Sequence, residues 1–115
     1  MLDLKALCRD IQQRTDSGRF TRMSHRLTSE HVEKYCIQME ADAFVASVCV
    51  WGNGDCDFDF MDLKSKKAVF WHYEFCCAED AARCIARDIE YLPGSARQGW
   101  VPGLPSPVCS GAHRS

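Results

Sequence analysis

Asp55, Asp57 and Asp59 occupy every second position, interleaved with Cys56, Phe58 and Phe60. Carboxylates at that period share one face of an extended strand. There they could ligate a hard cation or present fixed negative charge to a partner. The cation reading meets an obstacle in the pattern itself. A calcium loop starting at Asp55 needs Gly at its sixth place and Glu at its twelfth; those places hold Phe60 and Lys66. A solvated strand face is the plain reading, and a partner-facing acidic ridge the sharper one. The eight cysteines include no C-x-x-C pair, so no zinc-type spacing is present. His72 stands between Trp71 and Tyr73, with Glu74 on the same alternation as His72. With Cys76 and Cys77 close by, these residues could be drawn as a thiol site with a base. No glycine-rich phosphate loop and no nucleophile elbow accompany them. The reading adopted is no catalytic residue, no cofactor and no metal. The rival is a small redox or thiol-active protein using Cys76, Cys77 and His72, which rapid thiol labelling near neutral pH would reveal.

The elements that must carry the acids are legible in the stretch from Phe44 to Phe75. Three runs rich in Val, Phe, Trp and Tyr are separated by Gly52-Asn53-Gly54 and by Lys64-Ser65-Lys66-Lys67. That is the signature of a three-stranded antiparallel meander. The Gly-Asn-Gly turn supplies the positive-φ positions that a tight hairpin needs. Phe44–Trp51 is nearly all apolar, as in a strand covered on both faces or at the centre of a sheet. A one-residue slip in the next strand would bury three carboxylates, so its register is strongly specified. The third strand divides Val69, Trp71, Tyr73 and Phe75 from Ala68, Phe70, His72 and Glu74. Both sets hold aromatics, so helices are expected on one face, with some aromatic surface left open on the other.

Upstream, Leu4, Leu7, Cys8 and Ile11 recur at helical spacing, which predicts a helix over residues 2–14. Thr15-Asp16-Ser17-Gly18 stops it, with Gly18 available for a left-handed cap. Residues 19–29 suit an edge strand with Met23 and Leu27 inward. Residues 32–41 are ambiguous: Val32, Tyr35, Cys36 and Met39 fit a helix, whereas Tyr35, Ile37 and Met39 fit one strand face, and a strand leading by a hairpin-length link into Phe44 is the reading adopted. Downstream, Ala81, Ile85, Ile89 and Leu92 form one stripe of a helix over 78–92, with Glu79 and Asp80 in its first turn and Pro93-Gly94 at its end. The expected architecture is α+β: a single antiparallel sheet of four to five strands, with an N-terminal and a C-terminal helix packed on the Phe-bearing face. Residues 1–94 form the domain. Residues 95–115 hold three of the four prolines and three of the seven glycines, and read as an extended or disordered tail. Trp100 and Val101 are its candidate anchors to the body.

Length and charge bound the function. The 115 residues, 46% hydrophobic and 26% charged, suit one soluble domain. No apolar run approaches a membrane helix, and the N-terminus lacks the pattern of a signal peptide. A cytoplasmic location with free thiols is the expectation. Residues 36–62 carry six acids (Glu40, Asp42, Asp55, Asp57, Asp59 and Asp62) and no Lys or Arg. Such a region repels nucleic acid and attracts a basic protein.

The run S-V-C-V-W-G-N-G-D-C-D-F-D-F-M-D-L-K-S-K-K-A-V-F-W-H-Y-E-F, followed by a helix opening Ala78-Glu79-Asp80, resembles the TriTu type of small bacterial immunity proteins. The likeness covers roughly residues 43–92. It implies an inhibitor that protects its producer by binding a cognate toxin domain. For this type the toxin looks like a ribonuclease that attacks transfer RNA with help from elongation factor Tu, delivered by contact-dependent growth inhibition. The implied inhibitor has no catalytic residue. Asp55, Asp57, Asp59 and Asp62 are the expected source of charge toward a basic nuclease domain, with Trp71, Tyr73 and Glu74 as anchors. A general interaction domain with some other basic partner is the remaining alternative; co-purification of a basic nuclease domain separates the two.

Overall fold

The computed structural model describes residues 1–29 and 31–92 in full and the backbone of 113–114. Helix α1 (Leu4–Arg14) precedes five consecutive strands: β1 (Arg22–Thr28), β2 (Lys34–Glu40), β3 (Phe44–Trp51), β4 (Asp55–Asp62) and β5 (Ala68–Glu74). Helix α2 (Ala78–Glu90) follows, and the two-residue strand β6 (His113–Arg114) pairs with β5. All neighbours are antiparallel and lie in chain order, so the sheet is a pure meander. The α+β architecture is the expected one. The edge strand at 22–28 and the strand reading of residues 34–40 are both found. The expected tail beyond residue 94, with Trp100 and Val101, lies outside the described residues apart from the backbone of β6.

One face of the sheet is built from Tyr35, Ile37 and Met39 of β2, Phe44, Ala46, Val48 and Val50 of β3, Cys56 and Phe58 of β4, and Trp71 and Tyr73 of β5, all buried. Leu4, Leu7 and Ile11 of α1 join the same cluster, as do Ala81, Ala82, Cys84, Ile85 and Ile89 of α2. Both helices thus cover a single face. Strand β3 is apolar because it is central: its burial alternates, with Val45, Ser47, Cys49 and Trp51 half-buried on the uncovered side. Met23 packs on the core as expected, whereas Leu27, at the far end of β1, is exposed.

Local chemistry sets the boundaries. The Asp3 side chain accepts from the Ala6 backbone N–H at 3.1 Å and so caps α1. Gly18 is not left-handed; Asp16 instead caps a single 3-10 turn, Ser17–Arg19, by accepting from Gly18 N–H at 2.9 Å. That turn aims Arg19 at the end of α2. Its guanidinium donates to the carbonyls of Ile89 and Leu92 at 3.0 and 2.7 Å. The Ile89 carbonyl also takes the Leu92 backbone N–H at 3.2 Å, and a cation at this end of the helix suits its dipole.

In the β3–β4 hairpin only Gly54 has positive φ, at 102°. A Cβ at Gly54 would lie 2.1 Å from the Phe75 carbonyl oxygen. Phe75 N–H donates to the Gly54 carbonyl at 2.8 Å, which ties the end of β5 to this turn. In the β4–β5 turn the left-handed residue is Lys66, with φ 61°. Among the described residues, six cysteines carry free thiols, including Cys76 and Cys77. Cys84 is disulfide-bonded, contrary to expectation.

Candidate partner-binding surface

The uncovered face follows from the register. Asp55, Asp57 and Asp59 of β4 lie opposite Glu74, His72 and Phe70 of β5. On the other side Asp59 faces Ser47 and Asp57 faces Cys49 of β3. Because side chains alternate, the three aspartates, Phe70, His72 and Glu74 all leave the same side of the sheet. The predicted ridge is therefore real as geometry, and Glu74 belongs to it.

The carboxylates are individually held. Asp57 Oδ1 lies 2.6 Å from His72 Nδ1, and Asp55 Oδ1 lies 3.8 Å from His72 Nε2. The Asn53 side-chain amide donates to Asp55 Oδ2 at 3.1 Å, and Ser47 Oγ donates to Asp59 Oδ2 at 3.1 Å. Positive charge on this face is displaced toward the other edge. Arg22 and Arg26 leave β1 and Lys34 leaves β2 on this side, exposed or half-buried. Arg22 approaches Glu40 at 3.6 Å. The face is thus polarised, acidic over β4 and β5 and basic over β1.

An apolar patch adjoins the acids. Phe70 is 71% exposed, the most exposed aromatic side chain among the described residues, and Met61 is 39% exposed. They border a groove of about 470 Å³ that also touches Glu40, Val45, Ser47 and Asp59. Between β2 and β3, Cys36 Sγ and Cys49 Sγ are 2.9 Å apart. Burial, reinforced by the Cys36 thiol, pushes the Cys49 thiol up to about 12, so it stays protonated near neutral pH.

Three of the predicted site residues lie elsewhere. Asp62 falls on the helix-covered side at the end of β4, where it organises the next turn. It accepts from Ser65 Oγ at 2.7 Å and from Lys64 N–H at 3.2 Å. These hydrogen bonds, that of Ser65 first, hold its carboxyl below the usual carboxylate range. Trp71 and Tyr73 are 8% and 0% exposed and have no surface to offer as anchors. Trp71 stacks on Phe58 with ring centroids 4.4 Å apart. Both are bound to Asp88 of α2, which accepts from Trp71 Nε1 at 3.0 Å and from Tyr73 OH at 2.6 Å. Asp88 is fully buried and is flanked by Arg87, whose guanidinium donates to Oδ1 at 2.9 and 3.0 Å. A carboxylate inside the apolar phase of α2 gave no sequence signal of its own. Phe70 did: it shares the alternation of His72 and Glu74, and so belongs to whichever side of β5 the helices leave open.

The family model for "Immunity protein TriTu" matches residues 5–87, from the first turns of α1 to the third turn of α2. The chain belongs to the TriTu immunity protein family. The match takes in α1, β1 and β2, so it reaches well upstream of the meander that carries the resemblance in the sequence. No curated protein and no solved structure matches the chain. An immunity protein acts by binding and neutralising a cognate toxin, which makes the charged sheet face that α1 and α2 leave open the surface of interest. No helix among the described residues is long and apolar enough to cross a membrane.

Proposed function

We propose that this immunity protein neutralises a transfer-RNA-cleaving toxin of contact-dependent growth inhibition by seating the acidic side of its open sheet on the toxin's basic nuclease domain. Elongation factor Tu enters only indirectly, as the toxin's own helper. The cytoplasm is the place of action, because transfer RNA is there. The inhibitor needs no catalytic group and no cofactor for this role.

The observation that carries the reading is the grouping of half-buried Asp55 and exposed Asp57, Asp59 and Glu74 around Phe70 on a face that neither α1 nor α2 covers. A nuclease must hold a polyanion, so its substrate cleft is basic. Carboxylates about two residues apart on a stiff strand offer that cleft a competing anion, and they speed encounter by electrostatic steering. Phe70 supplies the apolar contact that charge alone lacks, since aromatic side chains dominate binding energy at interface centres. The test is the triple replacement Asp55→Asn, Asp57→Asn and Asp59→Asn, with association measured against the toxin domain at low and high salt. An association rate lowered by roughly 10-fold or more at low salt, with the difference shrinking at high salt, is expected. Unchanged affinity at low salt removes the ridge from the account.

A further inference from the structure

Asp55 lies on β4, and His72 and Glu74 lie on β5. One ligand atom from each of these three side chains falls within 4.8 Å of the other two. No spacing in the sequence announces this group, because it is assembled across two strands by their register. We propose that Asp55, His72 and Glu74 form a site for a divalent transition-metal ion of the zinc class on the open face of the sheet.

The imidazole is what separates this group from an ordinary acidic patch. His72 Nδ1 lies 2.6 Å from Asp57 Oδ1, a contact that requires the ring proton on Nδ1 when the imidazole is neutral. The lone pair is then on Nε2, the nitrogen that faces Asp55 Oδ1 at 3.8 Å. A carboxylate that holds the far nitrogen of a histidine, fixing tautomer and ring orientation, is the usual support of a metal-bound imidazole. Asp55 is supported in the same sense. Its Oδ2 accepts from the Asn53 amide at 3.1 Å, leaving Oδ1 toward His72. Two of the three ligands are thus oriented by residues outside the ligand set, one on β4 and one in the hairpin turn.

The distances are within reach of a bound ion. Tetrahedral zinc with bonds of about 2.0 Å places its ligand atoms roughly 3.3 Å apart. The Asp55–His72 pair is near that span already. Glu74 is exposed, so its side chain is free to rotate inward. The carboxylates of Asp55 and Glu74 converge on this point, and a divalent ion offsets their mutual repulsion. A mixed nitrogen and oxygen set favours zinc and its neighbours over calcium or magnesium, which prefer all-oxygen shells. Three protein ligands leave a tetrahedral ion one further position. An ion held here would therefore remain open to a further ligand from a docked protein and would reduce the negative charge of one end of the ridge.

The proposal stands on the cross-strand geometry and not on the toxin reading, and its test needs only the full chain. Zinc chloride is titrated calorimetrically into the reduced protein, and cobalt(II) is substituted to read the coordination sphere by its absorption. One equivalent of zinc is expected to bind, with millimolar magnesium failing to compete and with a cobalt spectrum free of thiolate character. His72→Ala should weaken binding by roughly 100-fold, and Asp57→Ala, which removes only the orienting carboxylate, by roughly 10-fold. No binding, a thiolate-type cobalt spectrum, or unchanged zinc affinity in His72→Ala overturns it. Asp59 and Phe70 lie outside the group, so a toxin-binding defect in Asp59→Asn or Phe70→Ala leaves this result untouched.

Discussion

Tyr73 of β5 donates its phenolic hydrogen to Asp88 of α2 over 2.6 Å, with both residues fully buried. The same carboxylate oxygen takes the Trp71 indole N–H at 3.0 Å, and Arg87 Nη2 donates to Tyr73 OH at 3.0 Å. This network docks the C-terminal helix on the sheet and decides which side of β5 is closed.

Asp88→Ala should therefore be among the most damaging single changes in the protein. It strips a buried indole N–H, a phenol and a guanidinium of their shared acceptor at once. Loss of one partner in a buried charged network costs about 3–5 kcal/mol. Urea unfolding followed by tryptophan fluorescence measures this. A loss below about 1 kcal/mol would show that the network does not hold the helix.

The pH profile has an edge on each side. Burial raises the Tyr73 phenol, with Asp88 adding to it, and burial raises the Tyr35 phenol, well beyond the ordinary value of 10.0. The folded state thus keeps protons that the unfolded chain gives up above about pH 10, and stability falls as pH rises past that point. On the acid side burial lowers His25 from its ordinary 6.5, and His25 Nδ1 sits 2.6 Å from Tyr35 OH. A neutral ring accepting from the phenol fits both shifts. The His25 contribution is present above about pH 6.5 and is lost as pH falls through the lowered value. Melting temperature against pH should show a plateau between these edges. His25→Gln should flatten the acid edge selectively.

Gly54→Ala tests the hairpin that places the ridge. The backbone conformation at φ 102° disfavours any L side chain, and the added carbon meets the Phe75 carbonyl. A cost of about 2 kcal/mol or more is expected, read as a lower Tm. Asn53→Ala in the same turn removes only a side-chain contact to Asp55. It should stay within about 1 kcal/mol of the parent.

Phe70 and Trp71 are neighbours in sequence and opposites in role. Phe70→Ala should leave stability within about 0.5 kcal/mol, because the ring is mostly in solvent. It should weaken toxin binding by roughly 10-fold or more through faster dissociation. Trp71→Ala should destabilise the fold by about 3–5 kcal/mol. Paired denaturation and binding measurements separate them. A stability loss from Phe70→Ala matching that from Trp71→Ala would mean the assignment of faces is inverted.

Strands β1 to β5, the two helices and the alternation of each face were readable from the chain alone, whereas β6 falls in the stretch read as a tail. Side-chain period is a local property, and Cys56, Phe58 and Phe60 against Asp55, Asp57 and Asp59 admits one arrangement. The ridge was legible for the same reason. Which side of β5 faces the helices was not. Val69, Trp71, Tyr73 and Ala68, Phe70, His72 are both apolar enough to be covered, so local hydrophobicity could not choose between them. Register with Phe58 and the buried Asp88 made the choice, and both are long-range facts. Hence Trp71 and Tyr73 pass from expected anchors to core, Asp62 from ridge to turn, and Phe70 to the surface. The meeting of Asp55, His72 and Glu74 belongs to the same class. Groups about 17 residues apart become neighbours only when two strands pair, and that pairing is decided by the whole sheet packing on its helices.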